Sequence, residues 1–300
     1  MITRRGLLKF LGTGFLGAAA LGGYAFGVEP LLRLRVTRYK LSPPNWPRGL
    51  TLKIVALADI HACNPWMSAK RIGRICAQAN GLGGDMIVLL GDYVSGMDLV
   101  SSHVESGEWS KSLATLEAPL GVHAIFGNHD YWEDKTFQQN GGGETFGHRA
   151  LKSVGIPIYD NRALFMEKEG QGFWLAGLAD QVALLPGRQY GRNRLTGLDD
   201  LPGTLDQVTN DDPIILMAHE PDIFPTVPDR VALTLCGHTH GGQVRLFGYS
   251  PVVPSRFGNR YAYGHVVEQN RNMIISAGLG CSILPVRFGS PPEIVVVDLG

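Results

Sequence analysis

Cysteine is sparse in this sequence. Only Cys63, Cys76, Cys236 and Cys281 occur in 300 residues, and none forms a Cys-x-x-Cys pair. That spacing excludes a thiolate zinc site and a disulfide framework, although an exported chain could still form a disulfide whose pairing is open. Cys236 closes an apolar run and Cys76 lies on a helix expected over 67–79, so both read as small apolar residues. Cys63, close behind His61, is the cysteine placed to approach a bound ion. Net charge is also lacking: 27 basic residues balance 27 acidic ones, so no basic excess argues for a nucleic-acid partner. There is no internal repeat and no long low-complexity tract, only a local Gly141-Gly142-Gly143 hinge. With 44% hydrophobic and 18% charged residues the chain can bury a sizeable core and is not disordered. Its length suits one α/β domain with loops.

What is abundant is glycine, with 39 residues, and clusters of metal-ligand side chains. Five segments carry them: Asp59-Ile60-His61, Gly91-Asp92, Gly127-Asn128-His129-Asp130, His219-Glu220 and Gly237-His238-Thr239-His240. Apolar runs precede them at 52–58, 86–90, 122–126, 214–218 and 231–236, each a buried-strand pattern. Side chains at i and i+2 of a strand share a face, so Asp59 and His61 are expected to project together, as are His238 and His240. In open α/β sheets ligands bind outside the carboxyl ends of strands, and these residues stand at such ends. Taken singly each segment has a plainer use. Asp-x-His occurs as capping chemistry, Gly-Asp as a turn, and a lone His after an apolar run as a hydrogen-bonded core imidazole. Two imidazoles in a glycine setting have few structural uses, and all five segments in one order point to a dinuclear metal site.

This ordered set resembles the calcineurin-like metallophosphoesterases, from about residue 50 to the C-terminus. The extended Gly237-His238-Thr239-His240-Gly241-Gly242-Gln243, with the closing Gly278-Leu279-Gly280, Leu284-Pro285-Val286-Arg287-Phe288 and Pro292-Glu293, is similar to a narrower branch. That branch comprises membrane-associated phosphodiesterases and UDP-2,3-diacylglucosamine pyrophosphatases. The resemblance implies an α/β fold of two packed mixed β-sheets flanked by helices, a four-layer sandwich. It implies one metal on Asp59, His61, Asp92 and His240, and a second on Asp92, Asn128, His219 and His238, with Asp92 bridging. The mixed oxygen and nitrogen donors suit Mn, Fe or Zn, with Mg admitted. Water between the two cations would attack phosphorus in line. His129 would stabilise the phosphoryl oxygens or protonate the leaving group, steered by Asp130. The expected reaction is hydrolysis of a phosphodiester or pyrophosphate, extending to lipid-linked substrates. A phosphomonoesterase with the same site and a catalytically silent scaffold are the alternatives, the second opposed by the intact ligand set. Arg245 and Arg287 could grip a non-reacting phosphate or form plain salt bridges.

The N-terminus reads separately. Arg4-Arg5 and Lys9 precede an uncharged, glycine-rich stretch from Phe10 to Val28. Paired arginines before a weakly apolar segment resemble a twin-arginine export signal, making the export machinery a partner and the periplasm or membrane surface the location. A simple anchor, with the domain on the cytoplasmic face, is the alternative. The expected units are therefore 1–28 as signal or anchor, 29–49 as a first strand (31–40) with a Pro-rich connector, and 50–300 as the catalytic domain. Helices are expected at 106–117 and 144–154, and strands at 156–159 and 173–178. Strands at 273–276 and 294–297 are expected to complete a second sheet. Loops 186–201, with Arg188, Arg192 and Arg194, and 257–263 are expected near the site. His103, His123, His148 and His265 have no motif around them, and His148 is expected on an exposed helix face.

Overall fold

The computed structural model describes residues 3–300, without the side chains of residues 5–9 and 11. Arg5 and Lys9, which carry part of the export-signal reading, therefore lie outside the described side chains. The chain opens with helix α1 (Arg4–Gly23), which runs through a π-helical turn (Tyr24–Val28) into α2 (Glu29–Leu32). The strands follow as β1 (Arg35–Leu41), β2 (Leu52–Leu57), β3 (Cys63–Asn64), β4 (Met86–Leu90), β5 (Ser102–His103) and β6 (Val122–Ile125). Then come β7 (Arg162–Lys168), β8 (Gln171–Gly177), β9 (Ile214–Met217), β10 (Val231–Cys236), β11 (Gly264–Glu268), β12 (Arg271–Ile275) and β13 (Glu293–Leu299). The remaining helices are α3 (Ala69–Asn80), α4 (Ser106–Leu113), α5 (Asn128–Trp132), α6 (Lys135–Asn140), α7 (Phe146–Ser153) and α8 (Leu201–Leu205).

Two large sheets form, one of five strands in the order β1-β13-β2-β4-β6 and one of six in the order β11-β12-β10-β9-β8-β7. In the first, β2, β4 and β6 are parallel, while β13 runs antiparallel to β2. In the second, β8, β9, β10 and β12 are parallel, with β7 and β11 as antiparallel edges. Both sheets are therefore mixed. The two-residue side-chain period sorts each strand between layers. Ile54 and Ala56 face Leu175, Ile215, Met217, Leu233 and Leu235 across the inter-sheet core. Val55 and Leu57 point the other way, against Ile72, Ile75 and Cys76 of α3 and Trp109 and Leu113 of α4. Ile214 and Leu216 likewise meet Phe224 and Tyr261 on the outer face of the second sheet. Each fully buried Leu or Ile in these layers contributes roughly 1.5–3 kcal/mol relative to exposure. The four-layer arrangement that the resemblance implies is the one observed.

Local chemistry moves several boundaries. Ser68 accepts from the Arg71 N–H, so α3 begins at Ala69 rather than at 67. Thr145 caps α7 in the same way and places its start at Phe146 rather than at 144. The helix expected over 106–117 stops at Leu113 and continues only as turns. The expected first strand at 31–40 is helical at first, because Pro30 sits in the first turn of α2 with its φ already helical. The strand proper, Arg35–Leu41, is an edge strand pairing with β13. Residues 156–159 add only an isolated bridge between Ile158 and Ala124. The two C-terminal strands do not share a sheet. β12 joins the six-stranded sheet, while β13 inserts between β1 and β2, where its Ile294–Val297 run is buried on both faces. The strands β7 and β11 are half-exposed edges that the sequence reading did not place, although β7 carries the apolar run 163–166. His148 is buried, not exposed: its Nε2 lies 2.7 Å from Asp160 and its Nδ1 accepts the Thr145 N–H.

Candidate metal centre

The parallel strands β2, β4 and β6 of one sheet and β9 and β10 of the other end at a common edge, and each hands over to a turn carrying polar side chains. Asp59 and His61 do not sit on β2, which ends at Leu57. They follow it in left-handed backbone, with φ of 54° and 46°. Asp92, His238 and His240 are left-handed too, with φ of 56°, 69° and 52°. Convergence thus comes from left-handed turns rather than from the i, i+2 alternation of a strand. Each such non-glycine residue costs of order 1–3 kcal/mol and persists only where its surroundings over-determine it. Here they do. The Asp59 N–H donates to the Gly91 carbonyl, the His61 N–H to the Asp92 carbonyl, and the Gly237 N–H to the His219 carbonyl. Gly127 is required by space, because a Cβ there would lie 2.5 Å from Asp92 Oδ1 and from the His219 ring.

Among the described residues three groups of donors result; a third, Asp180, His219 and Glu220, lies behind two at the strand ends, Asp59, His61, Asp92 and His240 in one, and Asp92, His219 and His238 in the other. Asp92 is common to both. Its Oδ2 lies 3.4 Å from His61 Nε2 and 3.2 Å from His219 Nε2, between the two groups. Asn128 joins the second group through its Oδ1, 2.9 Å from His238 Nδ1. Backbone carbonyls set the tautomers. His61 Nδ1 donates to Val94 O and His219 Nδ1 to Leu90 O, which turns each Nε2 lone pair inward. His240 differs, its Nδ1 facing the Arg287 guanidinium at 3.2 Å.

The electrostatics of this cluster are unbalanced without cations. Burial and the charge of Asp92 push Asp59 up to about 7, although His219 pulls it down. Burial opposes the charge on Asp92 as well, but the His219, His129 and His61 imidazoles outweigh it and hold its carboxyl well below the usual range. Burial drives His61 down to about 3, so its lone pair is available. Asp59 Oδ2 and His219 Nε2 are buried with no hydrogen-bond partner. His61 Nε2 and His240 Nε2 face each other at 3.1 Å. Asp59 Oδ2 and His219 Nε2, buried beside Asp92 with no partner among the described residues, are what a pair of cations would satisfy, so the donors fit the group.

Residues 52–242 match the calcineurin-like phosphoesterase family. The chain belongs to that family. Over 302 residues it is 30% identical to YkuE, an uncharacterized metallophosphoesterase of Bacillus subtilis, covering 98% of this chain and 95% of the relative. The phosphodiesterase YaeI of Escherichia coli is 28% identical over the full length of both chains. A Danio rerio transmembrane protein with a metallophosphoesterase domain is 29% identical, covering 88% of this chain and 57% of that protein. Family membership makes this chain a metal-dependent phosphoester hydrolase.

In this metallophosphoesterase the donors open into a cavity of about 270 Å³, lined also by His129, Trp132, Gln243, Val252, Ser282 and Ile283. His129 packs edge-on against His61 with ring centroids 5.0 Å apart, and its backbone N–H donates to Asp92 Oδ1. Its Nδ1 lies 3.2 Å from Glu133 Oε1, and its Nε2 reaches Ser282 Oγ at 3.4 Å. The carboxylate beside His129 is therefore Glu133, one helical turn on, and not Asp130. Asp130 is turned away, accepting from the backbone N–H groups of Asp92, Tyr93, Val94 and Gly127, which ties the turn after β4 to the turn after β6. Burial and then Asp92 push its carboxyl up to about 7. Burial lowers His129, but Asp92, Glu133 and Asp130 more than offset it, so its pKa is raised.

Other expectations change as well. Arg287 is fully buried and donates to the Gly280, Ser290 and Ala277 carbonyls, so it braces the loop behind His240 and is not free to grip phosphate. Arg245 lies over the Tyr263 ring, outside the residues lining the cavity. All four cysteines are free and buried. Cys63 packs with Met97 and Cys281, burial raises its pKa, and no donor group among the described residues contains a thiol. Within 186–201, Arg192 donates to Leu185 O and Gln138 O, bracing a neighbouring loop. Tyr261 of the other loop is buried in the outer core.

Sequence patterns missed Glu133, Ser282 and Asp180. Glu133 was detectable as the i+4 carboxylate to His129 on a helix. Asp180 is sealed against Glu220 and His219. Burial and the adjacent Glu220 charge hold Asp180 well above the usual carboxylate range.

Proposed function

We propose that this enzyme hydrolyses a phosphodiester or pyrophosphate bond with two divalent cations held by the strand-end side chains. Asp59, His61, Asp92 and His240 would hold one, and Asp92, Asn128, His219 and His238 the other. The observation that carries this reading is the position of Asp92 Oδ2 between the inward nitrogens of His61 and His219. Mn, Fe or Zn suits the mixed donors best, with Mg admitted. Two such cations would supply Lewis acidity and a water of lowered pKa.

The chain's own residues do the rest. His61 and His219 are pre-set by carbonyls to present Nε2, so little reorganisation is needed on binding. Asp92 Oδ1 is occupied by the His129 N–H, leaving Oδ2 for the centre. His129 stands at the cavity wall and acts on the transferring group, stabilising phosphoryl oxygens or donating a proton from Nε2 to the leaving oxygen. Glu133 beside Nδ1 favours the protonated ring that such a donor needs. Trp132, Val252 and Ile283 give the cavity apolar walls, which restrict water and suit a substrate with an apolar part. A lipid-linked phosphodiester or pyrophosphate fits those walls, and the UDP-2,3-diacylglucosamine type is one such substrate. The name of the Escherichia coli relative supports diester chemistry. An N-terminal segment long and apolar enough to cross a membrane supports reading it as an export signal or anchor.

Purified protein assayed on bis-p-nitrophenyl phosphate and on p-nitrophenyl phosphate, with and without Mn, tests this reading. Mn-dependent turnover of the diester in preference to the monoester is expected. Preference for the monoester would make it a phosphomonoesterase, and no turnover of either would favour a silent scaffold.

A further inference from the structure

We infer that two loop tips at the mouth of the metal cavity, 246–252 and 282–284, insert into the interfacial layer of a phospholipid bilayer. Resting on the phosphodiesterase reading above, this assigns the enzyme a substrate that stays in the membrane while its phosphate reaches the metal centre.

Exposure is the first observation. Phe247 is fully exposed, Ile283 is 79% exposed and Val252 74%, with Leu246, Tyr249 and Leu284 exposed beside them. Single exposed apolar residues need no explanation, but a cluster confined to two adjoining tips marks an interaction surface. Ile283 and Phe247 are also left-handed, with φ of 49° and 51°. A β-branched residue in that conformation is an outlier, and this one displays its side chain to solvent.

Construction is the second observation. The tips share one base: Val244 bridges Phe288, the Phe288 N–H donates to the Gln243 carbonyl, and Gln243 Nε2 donates to Leu284 O. The N-terminal helix ends on that same base. The Arg287 N–H donates to Ala25 O, the Gly289 and Ser290 N–H groups donate to the Glu29 carboxylate, and the Tyr24 ring meets Phe288 edge-on at 5.9 Å. The segment Gly12–Leu32 has 21 residues and is apolar enough to cross a membrane. Ahead of the turns from Tyr24 on, α1 alone has 20 residues and at 1.5 Å per residue spans about 30 Å, close to the hydrocarbon thickness of roughly 30 Å, which leaves the end of the segment outside that layer. Its last turns are packed on the domain, so a bilayer around the helix brings the adjoining face of the domain to the interface. Arg33 and Arg35 follow at once, both exposed, where headgroup phosphates would lie.

Continuity with the site is the third observation. Val252 and Ile283 belong both to the tips and to the cavity wall beside His129 and His240. A chain leaving the cavity across them would pass directly into the acyl layer.

The test uses the full chain reconstituted in phosphatidylcholine–phosphatidylglycerol vesicles containing doxyl-labelled phosphatidylcholine. The native cysteines are all buried, so Phe247→Cys can be labelled selectively with an environment-sensitive fluorophore. Glu117→Cys, exposed at the amino-terminal end of β6 and so opposite the cavity, is the control. Several-fold stronger quenching at 247 than at 117 is expected, and equal quenching at both overturns the inference. A second arm compares Phe247→Asn/Leu284→Gln with the parent chain. Soluble bis-p-nitrophenyl phosphate should be hydrolysed within about twofold of parent. A p-nitrophenyl ester of phosphatidic acid in the vesicles should be hydrolysed on the order of tenfold more slowly. Equal rates on the vesicle substrate also overturn the inference. A parent chain inactive on the soluble diester would instead remove the phosphodiesterase reading, leaving the quenching result to decide insertion.

Discussion

At the floor of the cavity, polar side chains leave the ends of five strands and are nearly sealed from water. At its rim, apolar side chains leave two loops and stand in solvent. The floor is thus polar where burial penalises polarity, and the rim apolar where water penalises apolar surface. Left-handed backbone occurs in both, at Asp59, His61 and Asp92 below and at Phe247 and Ile283 above. Below, that strain is held by a mesh of backbone hydrogen bonds and serves to aim donors at common points. Above, the tips are held at their bases and through Ser250, which bonds Asn259 and Gly241, while the side chains of Phe247 and Ile283 stand in solvent. Folding energetics alone would not put either set of residues where it is. A region that contradicts its own solvent is explained by what comes to occupy it, cations in one case and an apolar phase in the other.

The sharpest way to break the comparison is at Asp92. Asp92→Ala should abolish hydrolysis and release both metals together, because one oxygen serves both donor groups. Plasma-emission analysis retaining two metals per chain would remove Asp92 from the shared position. His129→Ala comes next, with metals retained and turnover lowered by roughly 10²–10⁴-fold. The loss should be smaller for substrates with good leaving groups. Equal losses on good and poor leaving groups would point to electrostatic stabilisation rather than proton donation.

Glu133→Gln should have a smaller effect, visible mainly in the pH profile. In the parent, Asp92, Glu133 and Asp130 raise His129 against burial, so its protonated form persists to higher pH. Removing the Glu133 charge lowers that pKa, and the alkaline limb of the rate profile should move to lower pH. An unmoved limb would show that Glu133 does not govern the proton on His129. Smallest of all, Phe247→Asn should change unfolding stability by less than about 0.5 kcal/mol, since the side chain touches little and Asn tolerates left-handed backbone. A large drop in the denaturation midpoint would mean that the rim is part of the fold.

Legibility in the sequence followed the same division. The floor was readable because each donor lies a few residues from an apolar run, and runs buried on both faces are unmistakable in composition. Asp59, Asp92 and His219 could be located by that rule alone. Steering of His129 was assigned to Asp130, the adjacent carboxylate, when the helix geometry of α5 favours the residue one turn on. Arg287 looked available for phosphate, because nothing local announces that three carbonyls and His240 surround it. His148 looked exposed for the same reason, its partner Asp160 lying beyond the end of its helix.

The four-layer sandwich was legible only as what the resemblance to the metallophosphoesterases implies, whereas by itself the sequence determined the ordered donor set and the buried strands that carry it. Those depend on short-range periodicity and on residue types that have few other uses. Only the tertiary structure decided that β13 inserts into the first sheet rather than the second, that the donors converge through left-handed turns, and that the N-terminal helix ends beside the two apolar tips. Strand order, backbone handedness at a turn and the meeting of loops forty residues apart are set by long-range packing. No window of local sequence contains the partners that fix them.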